Sequence, residues 1–370
     1  MNMLRWLLLL PVILVSACNE SQTSSQSITV SEALAEADLS GYARAEKPHT
    51  FSFPADYNSH PEYKNEWWYF TGNLSTPEGR PFGYQVTFFR IGLSPGKNNR
   101  DSSWATNQIW MAHAAITDIE GNQHVKMERF ARGALGLAGN RQSPFRVWLD
   151  NWQLASELTD FPWTISISDK DFSIKLTVTP QKQMVLQGDK GLSQKSPAPG
   201  NASYYFSYTR LKTEGQLTVG GNSYAVSGLS WFDREWGTSL LADDQSGWDW
   251  FALQFDSGHD LMYYQLRDNN GLPHPNSLGS WVNTDGQSIT IRPQDIRLKP
   301  VKWWTSPDGT KYPVHWELHY LPGDRRWQVR AAIESQLMDV SVQYWEGAVT
   351  IHDPESNSVI GKGYLEMTGY

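Results

Sequence analysis

Residues 60–74 read HPEYKNEWWYFTGNL, in which four consecutive aromatic residues follow a carboxylate. Aromatic residues favour strands, and a strand points successive side chains to opposite faces. Trp67 and Tyr69 are therefore expected on one face, and Glu66 and Trp68 on the other. A strand that is apolar on both faces must be covered on both sides or must line a ligand cavity, and a carboxylate in that setting needs a partner.

The rest of the chain shows the same kind of short, alternating segment from Phe51 onwards. Residues 172–178 (FSIKLTV) and 288–291 (SITI) are typical, and turn residues separate such segments. No long segment has the 3.6-residue period of a helix. Many short strands with regular turns predict an all-β fold of antiparallel barrels or sandwiches.

A weak internal repeat suggests how these strands are divided. The matching segments are WWYF (67–70) with WDWF (248–251), and GYQVTFFR (83–90) with LMYYQLR (261–267). Each half opens with a Trp-rich strand and closes with a hairpin led by glycine. We therefore predict two related barrel-like domains, residues 49–240 and 241–370. A barrel of this size can hold one apolar ligand.

The first residues have the pattern of an export signal. Arg5 precedes ten apolar residues, a run too short to span a bilayer as a stable helix. Residues 15–18 read VSAC, which predicts a lipobox: residues 1–17 are the signal peptide, and Cys18 carries the lipid. An ordinary secretory signal cut near Ala17 is the alternative.

The segment after the signal, residues 18–48, is polar and rich in Ser and Gln, and it predicts a flexible tether. In a Gram-negative host an aspartate after the lipidated cysteine favours the inner membrane, so Asn19 favours the outer one. We expect an exported protein, lipid-anchored on the periplasmic side. Cys18 is the only cysteine, so neither a disulfide nor a thiolate metal site is expected.

Composition excludes several classes of function. The formal net charge of the chain is −8 and no basic block occurs, so nucleic acid is not an expected partner. The sequence lacks a Gly-x-Ser-x-Gly elbow, a His-Glu-x-x-His motif, a phosphate loop and a Rossmann glycine pattern, and no cofactor is expected. The 18 Trp residues are far above the usual share, which suits an apolar pocket or a large interface.

Residues 231–237, WFDREWG, are the strongest candidate for chemistry. On a strand, Asp233 and Glu235 share one face with Trp231. Arg234 shares the opposite face with Trp236. Two carboxylates beside aromatic bulk tend to split their pKa values, which gives one proton donor and one charged partner. The alternative is an Asp–Arg–Glu ion-pair cluster that joins the two domains.

Other strands contribute further candidates. His113, among small and apolar residues, is either a general acid or base near neutral pH or a satisfied buried histidine. Arg90 ends an apolar strand and is expected to pair with Glu66. In the second repeat Asp249 makes either a ligand contact or an interface hydrogen bond. The predicted ligand contacts are Trp67, Trp68, Tyr69, Arg90, His113, Trp231, Arg234, Trp236, Trp248, Asp249 and Trp250.

One strand could present metal ligands. His315, Glu317 and His319 share a strand face, and metal ligation there is conceivable. The alternate residues Trp316 and Leu318 form the apolar face of the same strand. The His/Glu face is therefore expected to be solvated, and no metal site is predicted.

Several of these segments resemble a known family. FPAD (53–56), then His-Pro, then EWWYFTG (66–72) is similar to the opening of the AttH / carotenoid 1,2-hydratase (CrtC-like) lipocalin-like proteins. Further similar segments are residues 83–90, 110–118, 231–237, 247–251 and 363–370. The resemblance covers roughly residues 50–370 and implies two tandem lipocalin-like β domains.

The two branches of this family imply different functions. The AttH side implies work beside an ABC-type permease. The hydratase branch implies a Tyr and an Asp two positions apart in this region, with a His and a Trp on an earlier strand. Asp233 matches that Asp, whereas Trp231 occupies the Tyr position, and residues 204–208 (YYFSY) contain no His.

Three functional hypotheses follow. The first is a lipid-anchored lipocalin-like protein that binds an apolar molecule such as an isoprenoid or lipid. The second is a hydro-lyase of the same fold. Its acid would be Asp233, its electrostatic partners Glu235 and Glu66, and its cation-facing walls Trp231, Trp236 and Tyr69. The third, a purely structural envelope protein, explains the tether but not the paired aromatic faces.

Overall fold

The computed structural model describes most of the chain: residues 28–29, 39–96, 100–170, 172–239 and 241–370. The predicted signal peptide, Cys18 and much of the tether lie outside these residues. Apart from a single 3-10 turn at Ala55–Tyr57, the regular structure of the described residues is entirely β-strand. Among the residues that the structure describes, no helix is long and apolar enough to cross a bilayer.

In chain order the strands are β1 (Ile28–Thr29), β2 (Asn65–Ser75), β3 (Pro81–Gly92), β4 (Gln108–Asp118), β5 (Gln123–Arg132), β6 (Ala138–Arg141), β7 (Arg146–Leu149), β8 (Trp152–Ala155), β9 (Trp163–Ser168), β10 (Phe172–Pro180), β11 (Val185–Leu186), β12 (Leu192–Gln194), β13 (Ala202–Val219), β14 (Asn222–Gly237), β15 (Gln245–Phe255), β16 (Asp260–Asp268), β17 (Leu278–Val282), β18 (Ser288–Ile291), β19 (Ile296–Thr305), β20 (Lys311–Tyr320), β21 (Arg325–Ala331), β22 (Leu337–Asp339), β23 (Val342–His352) and β24 (Val359–Met367).

These strands form two sheets whose central strands follow the same order. The first sheet runs β5-β4-β3-β2-β14-β13-β10-β9-β8-β7-β6, and the second runs β18-β17-β16-β15-β24-β23-β21-β20-β19. Strands β11 and β12 add to β13, and strands β1 and β22 add to β23. All the pairings within the two sheets are antiparallel except that of β1 with β23. The internal repeat of the sequence therefore corresponds to a repeated sheet, and the prediction of an all-β, lipocalin-like fold is confirmed.

The predicted alternation of the first Trp-rich strand, β2, is also confirmed. Trp68 and Phe70 belong to the apolar core of the first sheet, where the rings of Phe70 and Phe232 lie 4.5 Å apart. Tyr69 instead belongs to a separate apolar cluster, against which Trp67 also packs. This alternation lets one strand serve a barrel core and a second apolar surface.

That second surface lies between the two sheets. Residues of both sheets form it, and the rings of Tyr69 and Trp250 meet edge to face at 5.2 Å. The second sheet has its own core, which contains Phe251 and Trp345. Because side chains fill both sheet cores, the expected ligand cavity is not a barrel interior but a space between the sheets.

A buried ion cluster joins the sheets at one side. Asp260, on β16, accepts hydrogen bonds from Lys182 Nζ (2.7 Å), Arg210 Nη2 (2.6 Å) and Thr209 Oγ1 (2.9 Å), all of the first half. Removing one partner of such a cluster leaves an uncompensated buried charge. The cluster thus holds the two walls of the interface together. The last strand of the first sheet ends at Gly237, and the division at residues 240/241 into independent domains stays a prediction.

Candidate functional site

A cavity of about 330 Å³ lies between the two sheets and has a mostly apolar lining. Strands β2, β3, β4, β5, β13 and β14 line it from the first sheet, and β15, β16, β23 and β24 line it from the second. Nine of the predicted site residues lie on its wall: Glu66, Trp67, Tyr69, Arg90, His113, Asp233, Glu235, Trp248 and Trp250.

Five predicted contacts do not lie on the cavity wall: Trp68, Trp231, Arg234, Trp236 and Asp249. Strand alternation turns Trp68 and Trp236 into the core of the first sheet, and Arg234 stacks on Trp68 with its Cζ 3.9 Å from the ring centroid. Trp231 packs between the sheets, where its indole supports Asp233. Asp249 pairs with Arg267, so these five are corrected to supporting positions.

Asp233 is a buried carboxyl group held by neutral donors. Its Oδ1 accepts hydrogen bonds from Ser207 Oγ (2.6 Å) and Trp231 Nε1 (2.7 Å), and its Oδ2 accepts one from the Tyr205 hydroxyl (2.5 Å). Burial, with the nearby charge of Glu235, raises the pKa of Asp233 to about 7 although the hydrogen bonds lower it. Within the described residues no cationic side chain pairs with Asp233. At neutral pH this group can therefore hold and release a proton.

Glu235, two positions along the same face, lies in a different environment. Its Oε1 is 3.1 Å from Lys195 Nζ, and it also accepts a hydrogen bond from Ser203 Oγ. Burial lowers the pKa of Lys195, but the charges and hydrogen bonds of Glu235 and Tyr264 together outweigh burial and hold that pKa above its usual value. Lys195 also lies 4.2 Å from the ring centroid of Tyr264. Two neighbouring carboxyl groups thus differ, because one has a cation beside it and the other has none.

Glu66 is the centre of a buried ion cluster. Arg90 Nε and Arg234 Nη2 donate to its two oxygens, and none of the three side chains is exposed to solvent. The backbone N–H of His60 also donates to Glu66, at 3.0 Å. Burial alone would raise the pKa of Glu66, but the two arginines hold it well below its usual range. The expected pairing of Arg90 with Glu66 is confirmed, and Glu66 is a fixed charge.

The same contacts revise the alternative interpretation of residues 231–237. Arg234 pairs with Glu66, and Glu235 pairs with Lys195, whereas Asp233 has only neutral partners among the described residues. The Asp–Arg–Glu cluster considered for this segment is therefore wrong. Its arginine and its carboxylates point to opposite faces of β14, so they cannot neutralise one another.

His113 is buried and bridges the cavity wall to the surface. Its Nδ1 is 2.8 Å from the Tyr344 hydroxyl, and its Nε2 is 2.9 Å from Glu128 Oε1. The side chain of Glu128 is partly exposed and also accepts a hydrogen bond from Ser341 Oγ at 2.5 Å. Both ring nitrogens of His113 are therefore satisfied.

No group of three or more His, Cys, Asp or Glu in the described part of the chain is arranged to hold a metal. On β20, Glu317 pairs with Lys299 (3.0 Å), and His319 pairs with Asp324 (2.5 Å). His315 and these two residues are only partly buried, whereas Trp316 and Leu318 are buried. The strand has one apolar and one partly solvated face.

Several polar residues of the cavity wall were not predicted from the sequence, among them Lys195, Tyr205, Tyr344 and Glu366, and neither was Glu346, which pairs with Glu366 in the register of the second sheet. Glu366 lines the cavity and accepts a hydrogen bond from Trp248 Nε1 at 2.7 Å. Burial, with the charges of Asp233 and Glu235, raises the pKa of Glu366 to about 7. A carboxylate within an apolar strand was the signal that singled out Glu66, and the same signal was present at Glu366.

Two sheets with the same central strand order, packed around an apolar cavity with buried acids, define a two-part lipocalin-like protein. The chain belongs to the AttH-like family, because the family model matches residues 44–370. A protein from Nitrosomonas europaea described as an AttH is 31% identical with a TM-score of 0.78, over 89% of this chain and 99% of that one. The family membership expected from the sequence is confirmed.

More distant solved structures share the fold alone. Kievitone hydratase from Nectria haematococca is 17% identical with a TM-score of 0.63, over 89% of this chain and 98% of that one. CghA is 10% identical with a TM-score of 0.54, over 90% of this chain and 97% of that one. No curated protein sequence matches the chain.

Proposed function

We propose that the cavity between the sheets binds one apolar molecule of isoprenoid or lipid type. The observation that carries this proposal is the cavity itself: about 330 Å³, walled by aromatic residues of both sheets, with a few polar groups at defined points. That combination is typical of small-molecule sites. Trp67, Trp248 and Trp250 supply flat apolar surface, and the buried acids would orient a polar end of the ligand.

The first test is the affinity of the mature protein for farnesol and oleate, an isoprenoid and a fatty-acid probe. Trp67→Ala should weaken binding of the preferred probe by about tenfold or more, because it removes most of a large apolar contact. Equilibrium dialysis with radiolabelled probe measures this without depending on tryptophan fluorescence.

Trp303→Ala is the matched control, because Trp303 is 47% exposed and lies outside the cavity lining. Its affinity should equal that of the wild type. The binding proposal fails if neither probe binds, or if both variants bind as the wild type does. Extraction of the protein purified from its own host, followed by mass spectrometry, would then identify any natural ligand.

We also propose a lipid-anchored location on the periplasmic side, at the outer membrane of a Gram-negative host, with an ABC-type permease as a partner. The VSAC lipobox supports the anchor, and membership of the AttH-like family supports the permease. The VSAC segment itself lies outside the described residues.

Cys18→Ser in the full-length chain should move the protein from the membrane fraction to the soluble fraction, because a lipid on that sulfur is the proposed anchor. Fractionation followed by immunoblotting measures the shift. Asn19→Asp is the comparison variant, and it should stay membrane-bound but move to the inner membrane. A Cys18→Ser protein that still sediments with membranes contradicts the anchor.

Acid-catalysed hydration is the second candidate, and the environment of Asp233 specifically favours it. A carboxylic acid with a pKa of about 7 beside an apolar cavity can protonate a carbon of an isolated double bond. Tyr69 and Trp250 would face the resulting cation, and addition of water with loss of one proton would complete a net hydration. Trp236 is excluded as a cation-facing wall because it lies in the core of the first sheet. Asp233→Asn separates this candidate from simple binding.

A further inference from the structure

The second sheet places two glutamates directly opposite each other. In the register of β23 with β24, Glu346 faces Glu366, and each lies in an otherwise apolar stretch. Side chains in such positions are about 5 Å apart at Cβ, and like charges there repel. Glu346 is 1% exposed, and Glu366 is accessible only in part. In this arrangement the charge of one carboxylate disfavours ionisation of the other.

The groups around this pair supply no compensating positive charge. Tyr69, from β2, donates to Glu346 Oε1 at 2.5 Å and also interacts with Glu366. The other neighbours include the Tyr344 and Tyr364 hydroxyls near Glu346, the Trp248 indole, and the carboxyls of Asp233 and Glu235 near Glu366. No salt bridge within the described residues reaches either glutamate. Burial raises the pKa of Glu346 well above its usual range.

A line of hydrogen-bonding groups leads from this pair to the surface. Tyr344 lies two positions from Glu346 on the same face of β23, and its hydroxyl lies 2.8 Å from His113 Nδ1. The other ring nitrogen, Nε2, lies 2.9 Å from Glu128, whose side chain reaches solvent. Every group along this line can both accept and release a proton. Oε2 of Glu346 accepts no hydrogen bond from a described residue, which leaves a position for a proton.

We propose that Glu346 and Glu366 form a proton-sharing dyad at the cavity. Tyr344, His113 and Glu128 carry protons between this dyad and solvent. The dyad is distinct from Asp233, because it belongs to the second sheet and has its own route to the surface.

A role for the dyad in hydration rests on the proposed function. In that reaction the dyad would accept the proton that the added water releases. Asp233 gives a proton to a carbon of the double bond, and a water oxygen bonds to the cation. The ionised dyad takes the proton that this water releases, so one H₂O adds in total. The relay then passes that proton to solvent, while Asp233 recovers one. A protein that only binds its ligand would still contain the dyad.

The test of the dyad is an infrared titration of the mature protein without ligand, in an Asp233→Asn background that removes the other cavity carboxyl group whose pKa burial raises to about 7. The C=O band of protonated carboxyl groups should be lost in two steps. Glu346→Gln and Glu366→Gln should both abolish the same upper step, because that step is the second ionisation of a coupled pair. If each substitution abolishes a different step, the two groups titrate independently and the dyad is overturned.

The test of the relay is the rate at which the dyad band responds to a pH jump. Tyr344→Phe and His113→Phe should each slow the response by at least about tenfold, whereas a merely structural role would leave it unchanged. Tyr344→Phe removes only the hydroxyl oxygen and keeps the ring packed. Its rate therefore tests the relay even if His113→Phe disturbs the cavity wall. His124→Phe is the matched control, because His124 bonds Thr117 outside this line, and its rate should equal that of the parent. An unchanged rate in Tyr344→Phe overturns the relay.

These measurements separate the dyad from the proposed function. The titration and the pH jump need no ligand, whereas the farnesol and oleate affinities do not depend on proton sharing. If the titration shows the dyad but neither probe binds, only the ligand proposal is contradicted. If a probe binds but the two Gln variants abolish different titration steps, only the dyad is contradicted.

Discussion

Replacing Glu66 with Gln should lower the free energy of unfolding by about 3–5 kcal/mol at pH 7, measured by chemical denaturation. The reason is that Arg90 and Arg234 are both fully buried and both depend on Glu66 for neutralisation. Without the carboxylate, two like charges face each other in the protein interior, and the wall segment that Glu66 anchors through the backbone of His60 loosens.

The pH dependence gives this prediction a second readout. The pKa of Glu66 is lower in the folded state than its ordinary value of 4.5. Its stabilising effect is therefore fully present above about pH 5 and is lost as the pH falls towards the folded-state pKa. The difference in stability between wild type and Glu66→Gln should accordingly shrink below pH 4.

Glu317→Gln is a suitable control, because Glu317 also pairs with a cation, but on the surface with Lys299. An exposed pair contributes at most about 1 kcal/mol, so this variant should unfold almost like the wild type. If Glu66→Gln behaves like Glu317→Gln, the buried cluster is not a major source of stability.

The sequence predicted those features of the site that depend on one strand or on two strands that are consecutive in the chain. Alternation in β2 separated Trp68 from Trp67 and Tyr69, because a period of two is a local property of an extended chain. The pairing of Arg90 with Glu66 followed because both were polar residues within apolar strands. The repeat predicted two related barrel-like domains, and the two sheets share their central strand order because each repeat carries its own strand pattern.

The features that the sequence did not predict depend on which strands become neighbours. Arg234 lies between two carboxylates in the sequence, yet its partner is on β2, because β14 pairs with β2 and places Trp236 opposite Glu66. Glu346 and Glu366 are 20 positions apart, and only the register of β23 with β24 brings them face to face. Predicting the cavity would also require knowing how one sheet packs on the other, because residues of both sheets line it.

Asp233→Asn should reduce hydration of the natural substrate by about 10²–10⁴-fold while leaving its affinity unchanged, if the protein is a hydro-lyase. The amide has the size of the acid but cannot protonate carbon, and the cavity keeps its aromatic walls. The substrate for this assay is any isoprenoid found to co-purify with the protein from its own host. Mass spectrometry of the product, which gains one water, measures turnover.

The stability of the same variant shows whether the fold is intact. Because the pKa of Asp233 rises from 3.8 to about 7 on folding, the folded state holds a proton that the unfolded chain releases between about pH 4 and 7. The stability of the wild type therefore falls across that window, by about 4 kcal/mol at most, and Asp233→Asn avoids the fall. The variant should match the wild type near pH 4 and exceed it at pH 8.

Asp260→Asn should be less stable than the wild type at pH 8, because Asp260 is a buried aspartate with two cationic partners, Lys182 and Arg210. Its loss leaves those charges unpaired and destabilises the protein. Lost turnover in an Asp233→Asn protein that is more stable than the wild type identifies the carboxylic acid itself as the reactive group. Unchanged turnover would instead favour a carrier, in which Asp233 serves only to orient the ligand.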